Sequence, residues 1–256
     1  MRWKTFAIGW TLALAVLLFA QRRSPLPQSS MFSRVVDLTS SAPQVPVPHP
    51  IECEQNRRSQ KSPYQAQNDC STEPSETRVN LPAREILGQW SADQIPPERL
   101  IAPLVVIDVT EEEARNPAYP VSVDDIAKWE SRYGHVPPGA VVIAKTRPKF
   151  VNSQRGQTAV TDTKVGAVAP GFTIDAARFL VEAREVYGLG IDMPSLDSSA
   201  TRGFPVRAYI ASRRVYGIEN VVNLNAVPEA GGFVVVAPSK NATGLTAPAR
   251  VLALAH

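Results

Sequence analysis

The feature that most constrains this chain is a set of short, β-branched apolar runs separated by stretches of helical periodicity. Leu104-Val-Val-Ile-Asp-Val109, Ala140-Val-Val-Ile-Ala144 and Gly188-Leu-Gly-Ile-Asp192 have the length and composition of buried strands. Between the first two, Val123 to Tyr133 carries Ile126 and Trp129 at helical spacing, with Ser122 as a cap ahead of Asp124 and Asp125. Pro137-Pro138-Gly139 then breaks the chain before the second run. Thr173 to Glu185 places Ala176, Phe179, Leu180 and Ala183 on one side of another helix. Arg34–Leu38, Val215–Ile218, Gly232–Ala237 and Arg250–Leu254 read as further strands, and Val206–Ser212 as a short helix. Strands and helices alternate without an internal repeat, which predicts one α/β domain over residues 34–256.

Composition narrows the function. With 256 residues, 44% apolar and 20% charged, the chain can bury a substantial core and is not disordered overall. The net charge is +3, and most of that surplus is Arg2 and Lys4 at the N-terminus. The remainder is nearly neutral, so no general nucleic-acid-binding surface is expected. Three histidines and two cysteines exclude a zinc-finger array or a cysteine-rich scaffold.

The N-terminus reads as an address. Arg2 and Lys4 precede an uncharged run from Phe6 to Ala20, followed by Arg22, Arg23 and Pro25. As a helix that run spans roughly 22 Å, short of the ~30 Å hydrocarbon core. Residues 1–20 are therefore read as an export signal, or as an anchor if uncleaved, and residues 21–33 as a linker. Membrane association is expected only through an uncleaved segment. The rest of the chain is expected to be exported into an oxidising compartment, secreted or periplasmic. Cys53 and Cys70, in a polar stretch without hydrophobic periodicity, are expected to pair with each other. Closing a loop of that size contributes about 3 kcal/mol. Asn241-Ala-Thr243 is a glycosylation sequon, relevant only in a eukaryotic secretory host.

Several blocks then carry a resemblance. They are Ile95-Pro-Pro-Glu-Arg-Leu-Ile-Ala-Pro-Leu-Val-Val-Ile-Asp108, Val136-Pro-Pro-Gly-Ala-Val-Val142, Pro170-Gly-Phe172, Ala176-Ala-Arg-Phe-Leu180, Gly188-Leu-Gly-Ile-Asp-Met-Pro-Ser-Leu-Asp197 and Tyr216-Gly-Ile-Glu-Asn220. In order and spacing they resemble the cyclase family, which includes the bacterial kynurenine formamidases and isatin hydrolase. The resemblance implies a swivelling β/β/α domain, assembly as homo-oligomers, and hydrolysis of amides or lactams with Mn or Zn as cofactor.

The same resemblance exposes a departure. The family metal motif runs His-Thr-Gly-Thr-His-x-Asp-x-Pro-x-His, with two histidines and the aspartate as ligands and the last histidine transferring protons. The aligned stretch here is Pro74-Ser-Glu-Thr-Arg78-Val-Asn80-Leu-Pro82-Ala-Arg84, with Thr77 and Pro82 fixing the register. Pro74 and Arg78 replace the ligand histidines, Asn80 the aspartate and Arg84 the proton-transfer histidine. Phe204-Pro-Val-Arg207 stands where the family has Phe-Pro-Val-His, and of that set only Glu219 persists. Arginine offers N–H donors and no lone pair, and it stays charged at ordinary pH. Each such replacement adds repulsion where a cation would sit, so neither a metal nor another cofactor is expected.

If the family geometry holds, Arg78, Arg84 and Arg207 converge beside Glu219, with Asn80 among them and Asp192 and Ser195 along one wall. Two readings stay open. In one, an ion-pair network fills the cavity, each guanidinium met by Glu219, Asp192, Glu76 or a carbonyl. In the other, the forked donors hold a small anionic ligand. His49, His135 and His256 fall at no motif position, and Ser195 lacks the context of a serine nucleophile. Glu111-Glu-Glu113 reads as a solvated loop or helix start. The expectation is a non-catalytic protein with a binding or structural role. The alternative is an active hydrolase of the kynurenine formamidase type using other ligands.

Overall fold

The computed structural model describes residues 32–40, 76–117, 119–146, 150–153, 156–159, 169–240 and 246–255. The export segment, Cys53, Cys70, Pro74, His49, His256 and the sequon at Asn241 lie outside the described residues. In chain order the elements are β1 (Arg34–Asp37), β2 (Arg78–Asn80), α1 (Pro82–Glu85), β3 (Ile101–Asp108), α2 (Thr110–Arg115) and α3 (Val123–Tyr133). There follow β4 (Val141–Lys145), the hairpin β5 (Phe150–Ser153) and β6 (Gly156–Ala159), α4 (Ile174–Ala183), β7 (Gly188–Ile191) and α5 (Pro205–Ser212). The chain ends with β8 (Tyr216–Glu219), β9 (Gly232–Pro238) and β10 (Thr246–Ala255).

Strand pairing closes on itself. The order β10-β2-β8-β7-β4-β3-β9 returns to β10, giving a seven-stranded barrel, and β1 also pairs with β10. The neighbours among β3, β4, β7 and β8 run parallel, and the remaining pairs are antiparallel. β10 can hold three partners because its length is shared out. Thr246–Pro248 face β2, Leu252–Ala255 face β1, and Ala249–Leu254 face β9.

β1 and β2 therefore partner successive parts of β10, as one barrel strand built from two chain segments. Thr77 joins them. Its Oγ1 accepts the Ser40 N–H at 2.7 Å and donates to the Asn220 carbonyl at 2.7 Å. Thr39 then bridges to Val221 beside the Arg78–Glu219 register pair.

Alternation along the strands produces two cores. Leu104, Val106, Val141, Ile143 and Ile218 pack in one core with Val79 and Val251 of the antiparallel strands. Val105, Ile107, Val142 and Leu189 pack in the other with Ile126 and Trp129 of α3 and Ala176 and Leu180 of α4. Strands β3, β4 and β7 are thus covered on both faces, which is why they read as unbroken apolar runs. α3 starts as its sequence predicts, with a capping box between Ser122 and Asp125. Glu111, Glu112 and Glu113 form the first turn of α2, where acids complement the helix dipole.

Candidate functional site

On β2, Val79 enters the barrel core while Arg78 and Asn80 share the opposite face. β8 lies alongside, with Glu219 the register partner of Arg78 and Gly217 that of Asn80. A Cβ at Gly217 would stand 2.6 Å from Leu196 Cδ1, so glycine lets the segment 194–197 close over this strand pair. Gly171 holds the same segment from the other side. Its own Cβ would collide with the backbone of Asp197 and Ser198, and the neighbouring Phe172 N–H donates to the Leu196 carbonyl at 2.8 Å.

Glu219 is fully buried and committed in two directions. Its Oε2 accepts Arg78 Nε–H at 3.1 Å, and its Oε1 accepts the Leu196 N–H at 3.2 Å. Arg78 also donates to the Pro194 carbonyl at 3.3 Å.

Arg207 arrives on α5, whose start is unusual. Phe204, the residue at the helix N-cap, is left-handed at φ 54° and supplies no side-chain cap. Asp197 does that work from outside, accepting the Val206 N–H at 2.7 Å and the Arg207 N–H at 3.2 Å. Burial raises the Asp197 pKa, while these N–H groups and the Arg207 charge oppose the rise. The Arg207 guanidinium carbon lies 4.0 Å from the Phe204 ring centre. Its Nε is 3.6 Å from Asp197 Oδ2 and 3.7 Å from Glu85 Oε1, and its Nη1 is 3.9 Å from Glu219 Oε1.

Arg84 completes the cluster from α1. Its Nη1 donates to Asn80 Oδ1 at 3.1 Å, and its Nε is 3.6 Å from Glu85 Oε1. Burial lowers its pKa first, and the nearby Arg207 charge lowers it further.

The structure thus brings Arg78, Asn80, Arg84, Arg207 and Glu219 together, as the family geometry implies. Ser195 sits at the margin, its Oγ accepting the Asp197 N–H at 3.1 Å. The hydrogen bonds of Asp192 run to another segment. Its carboxylate accepts the Thr146 N–H at 2.9 Å and the Thr146 hydroxyl at 2.6 Å, at the ends of β7 and β4, and burial pushes its pKa up to about 7. Glu76 reaches the region through its backbone carbonyl, which accepts from Asn220 Nδ2 at 3.1 Å.

Two carboxylates of the cluster are absent from the site residues read in the sequence, Asp197 and Glu85. One signal was available for Asp197: Phe204-Pro-Val-Arg207 begins a helix without a capping side chain, so an acceptor must come from another segment. Among the described residues the acids within ion-pair distance are Glu219 for Arg78, Glu85 for Arg84, and Asp197, Glu85 and Glu219 together for Arg207. Among the described residues, three guanidiniums thus share three carboxylates.

A divalent cation does not fit these donors. Arg78, Arg84 and Arg207 have no lone pair to offer and place positive charge beside the remaining oxygens, Asn80 Oδ1, which accepts from Arg84, and the Glu219 carboxylate, which accepts from Arg78 and Leu196. Among the described residues no group of three or more His, Cys, Asp or Glu side chains is arranged to hold an ion. His135 lies 3.5 Å from Glu130 on the exposed end of α3, far along the chain from any motif position.

Comparison with known proteins places this site in context. A family model described as "Putative cyclase" matches residues 33–198. Isatin hydrolase of Roseibium aggregatum is 29% identical over 192 residues, covering 71% of this chain and 72% of that protein. The solved structure of isatin hydrolase A from Ralstonia solanacearum superposes with a TM-score of 0.65 at 29% identity, over 87% of this chain and 92% of that one. A potential metal-dependent hydrolase with cyclase activity gives a TM-score of 0.59 at 25% identity, over 87% and 98%. With its closed mixed barrel, its ordered sequence blocks and a family match across well over half its length, the chain belongs to the cyclase family.

Proposed function

We propose that this protein is a non-catalytic member of the cyclase family, in which an arginine–carboxylate network stands where relatives described as metal-dependent hydrolases act. The observation that carries this reading is the Arg78–Glu219 bond. The one acid retained from the family set accepts a guanidinium N–H at 3.1 Å, so it serves as a counter-ion. Opening a lactam or an amide at neutral pH requires an activated water, and a bound metal supplies one by lowering its pKa to about 7. Fixed guanidinium charge in that position repels the cation and has no lone pair to take up a proton.

The role that remains is binding or structural, in an exported chain whose cysteines Cys53 and Cys70 pair. The test is an assay of the purified protein with isatin and with N-formylkynurenine, each with added Mn or Zn. The expected rate equals that of buffer with metal alone. Metal-dependent turnover of either compound would return the protein to the active hydrolases.

A further inference from the structure

A second arginine cluster lies at the opposite end of β8 from Glu219. Arg214 follows the C-cap of α5 with φ +58°, a left-handed position where glycine is the usual residue because a Cβ crowds the backbone there. An arginine at this point carries a steric cost that glycine avoids, and its side chain is held in a definite place. Arg214 Nε donates to Gln89 Oε1 at 3.2 Å, and its guanidinium carbon lies 5.4 Å from the Trp90 ring centre.

Arg99 shares that platform. Its guanidinium carbon is 5.0 Å from Trp90 and 4.7 Å from the ring of Tyr187. Nη1 donates to the Arg214 carbonyl at 3.4 Å, and the Arg99 carbonyl accepts the Tyr216 hydroxyl at 2.7 Å, tying this backbone to β8.

Charge separates this pair from three of the other ring-stacked arginines, while Arg178, 5.8 Å from the Tyr209 ring centre, lies over a single ring. Arg184 is met by Glu130 at 2.6 Å, Arg213 by Glu182 at 3.2 Å, and Arg207 by the acids of the cluster above. Among the described residues neither Arg99 nor Arg214 has a carboxylate partner. The rings hold both guanidiniums close together, the two bonds to Gln89 Oε1 and the Arg214 carbonyl use one N–H group of each, and a planar fork of donors is the arrangement that takes oxyanions.

We propose that Arg99 and Arg214, on the Trp90–Tyr187 platform, form a surface site for an oxyanion, the phosphoryl or carboxylate group of a small ligand. This assignment does not depend on whether the barrel site is catalytic.

The test titrates inorganic phosphate, and separately citrate, into the full-length protein at constant ionic strength set with chloride. Tryptophan fluorescence and melting temperature are the readouts. Saturable change with at least one of the two is expected, and which one responds identifies the group as phosphoryl or carboxylate. Arg214→Gly removes the cation while relieving the left-handed strain, so it is expected to fold normally and to lose at least tenfold in affinity. Arg99→Lys keeps the charge but not the fork and is expected to weaken binding as well. No saturable response to either anion in the wild type would overturn the proposal. So would wild-type affinity in Arg214→Gly, which would mark the arginine as packing alone.

Discussion

Arg78 and Glu219 are register partners across the antiparallel β2–β8 pair, and the 3.1 Å bond between them is buried, with side-chain exposures of 8% and 0%. A charged pair taken out of water gains little over an apolar pair of the same shape, but either charge left alone is costly.

Removing one partner is therefore expected to do more harm than removing both. Arg78→Met and Glu219→Gln should each lower stability by about 3 kcal/mol. The double variant Arg78→Met/Glu219→Gln should lose no more than either single variant, and so clearly less than their sum. Urea denaturation of the four proteins measures this, and additive losses would show that the pair is not coupled.

Asp197 acts as the remote cap of α5. Asp197→Ala should cost about 1 to 2 kcal/mol and Asp197→Asn less, since the amide keeps one acceptor. Hydrogen exchange provides the local readout, because protection of the Val206 and Arg207 amides should fall in Asp197→Ala. Unchanged protection would mean that the helix start is held by something else.

Much of the architecture was legible because the strands of the parallel half are buried on both faces, and unbroken runs such as Leu104–Val109 admit few other readings. α3 and α4 were equally plain, each with a one-sided apolar stripe, though Thr173, read as the first residue of α4, is its N-cap. β2 was not legible. Three residues, two of them polar, carry no periodicity, and their strand identity comes from lying between β10 and β8. The same applies to β10, read as Arg250–Leu254 but extending over Thr246–Ala255, because its first residues pair with β2.

For the site, motif spacing located the arginines but not all of their acids. The resemblance implied Asp192 as a wall residue, and the hydrogen bonds of its carboxylate go to Thr146. Asp197 and Glu85 reach the cluster through a helix start and a helix end, relationships visible only once α1 and α5 are packed together.

The two segments of the composite strand meet at Thr77, whose hydroxyl serves a buried N–H and a buried carbonyl at once. Thr77→Val keeps the shape and strands both groups, so a loss of about 2 kcal/mol is expected. Thr77→Ser should recover most of it. Equal stability of the valine variant in thermal or urea denaturation would contradict this role.

Two acids should shape stability against pH with opposite sign. Glu130, hydrogen-bonded by Arg184 at 2.6 and 2.9 Å, has its pKa lowered from 4.5 to about 2. Its contribution is therefore complete above about pH 4.5 and lost as pH falls toward about 2. Asp192 is raised by burial from 3.8 to about 7, so its contribution is complete below about pH 3.8 and lost as pH rises through about 7. Melting temperature against pH should fall less steeply on the acid side in Arg184→Ala and flatten between pH 4 and 7 in Asp192→Asn, relative to the wild type. Parallel profiles for all three proteins would contradict both assignments.

The most direct test of the account is calorimetric titration of Mn2+ and of Zn2+ into the purified protein and into Glu219→Gln. The expected result is no saturable binding to the barrel cluster, with the two proteins indistinguishable. One ion bound per chain, and lost in Glu219→Gln, would show that the cluster holds a metal after all.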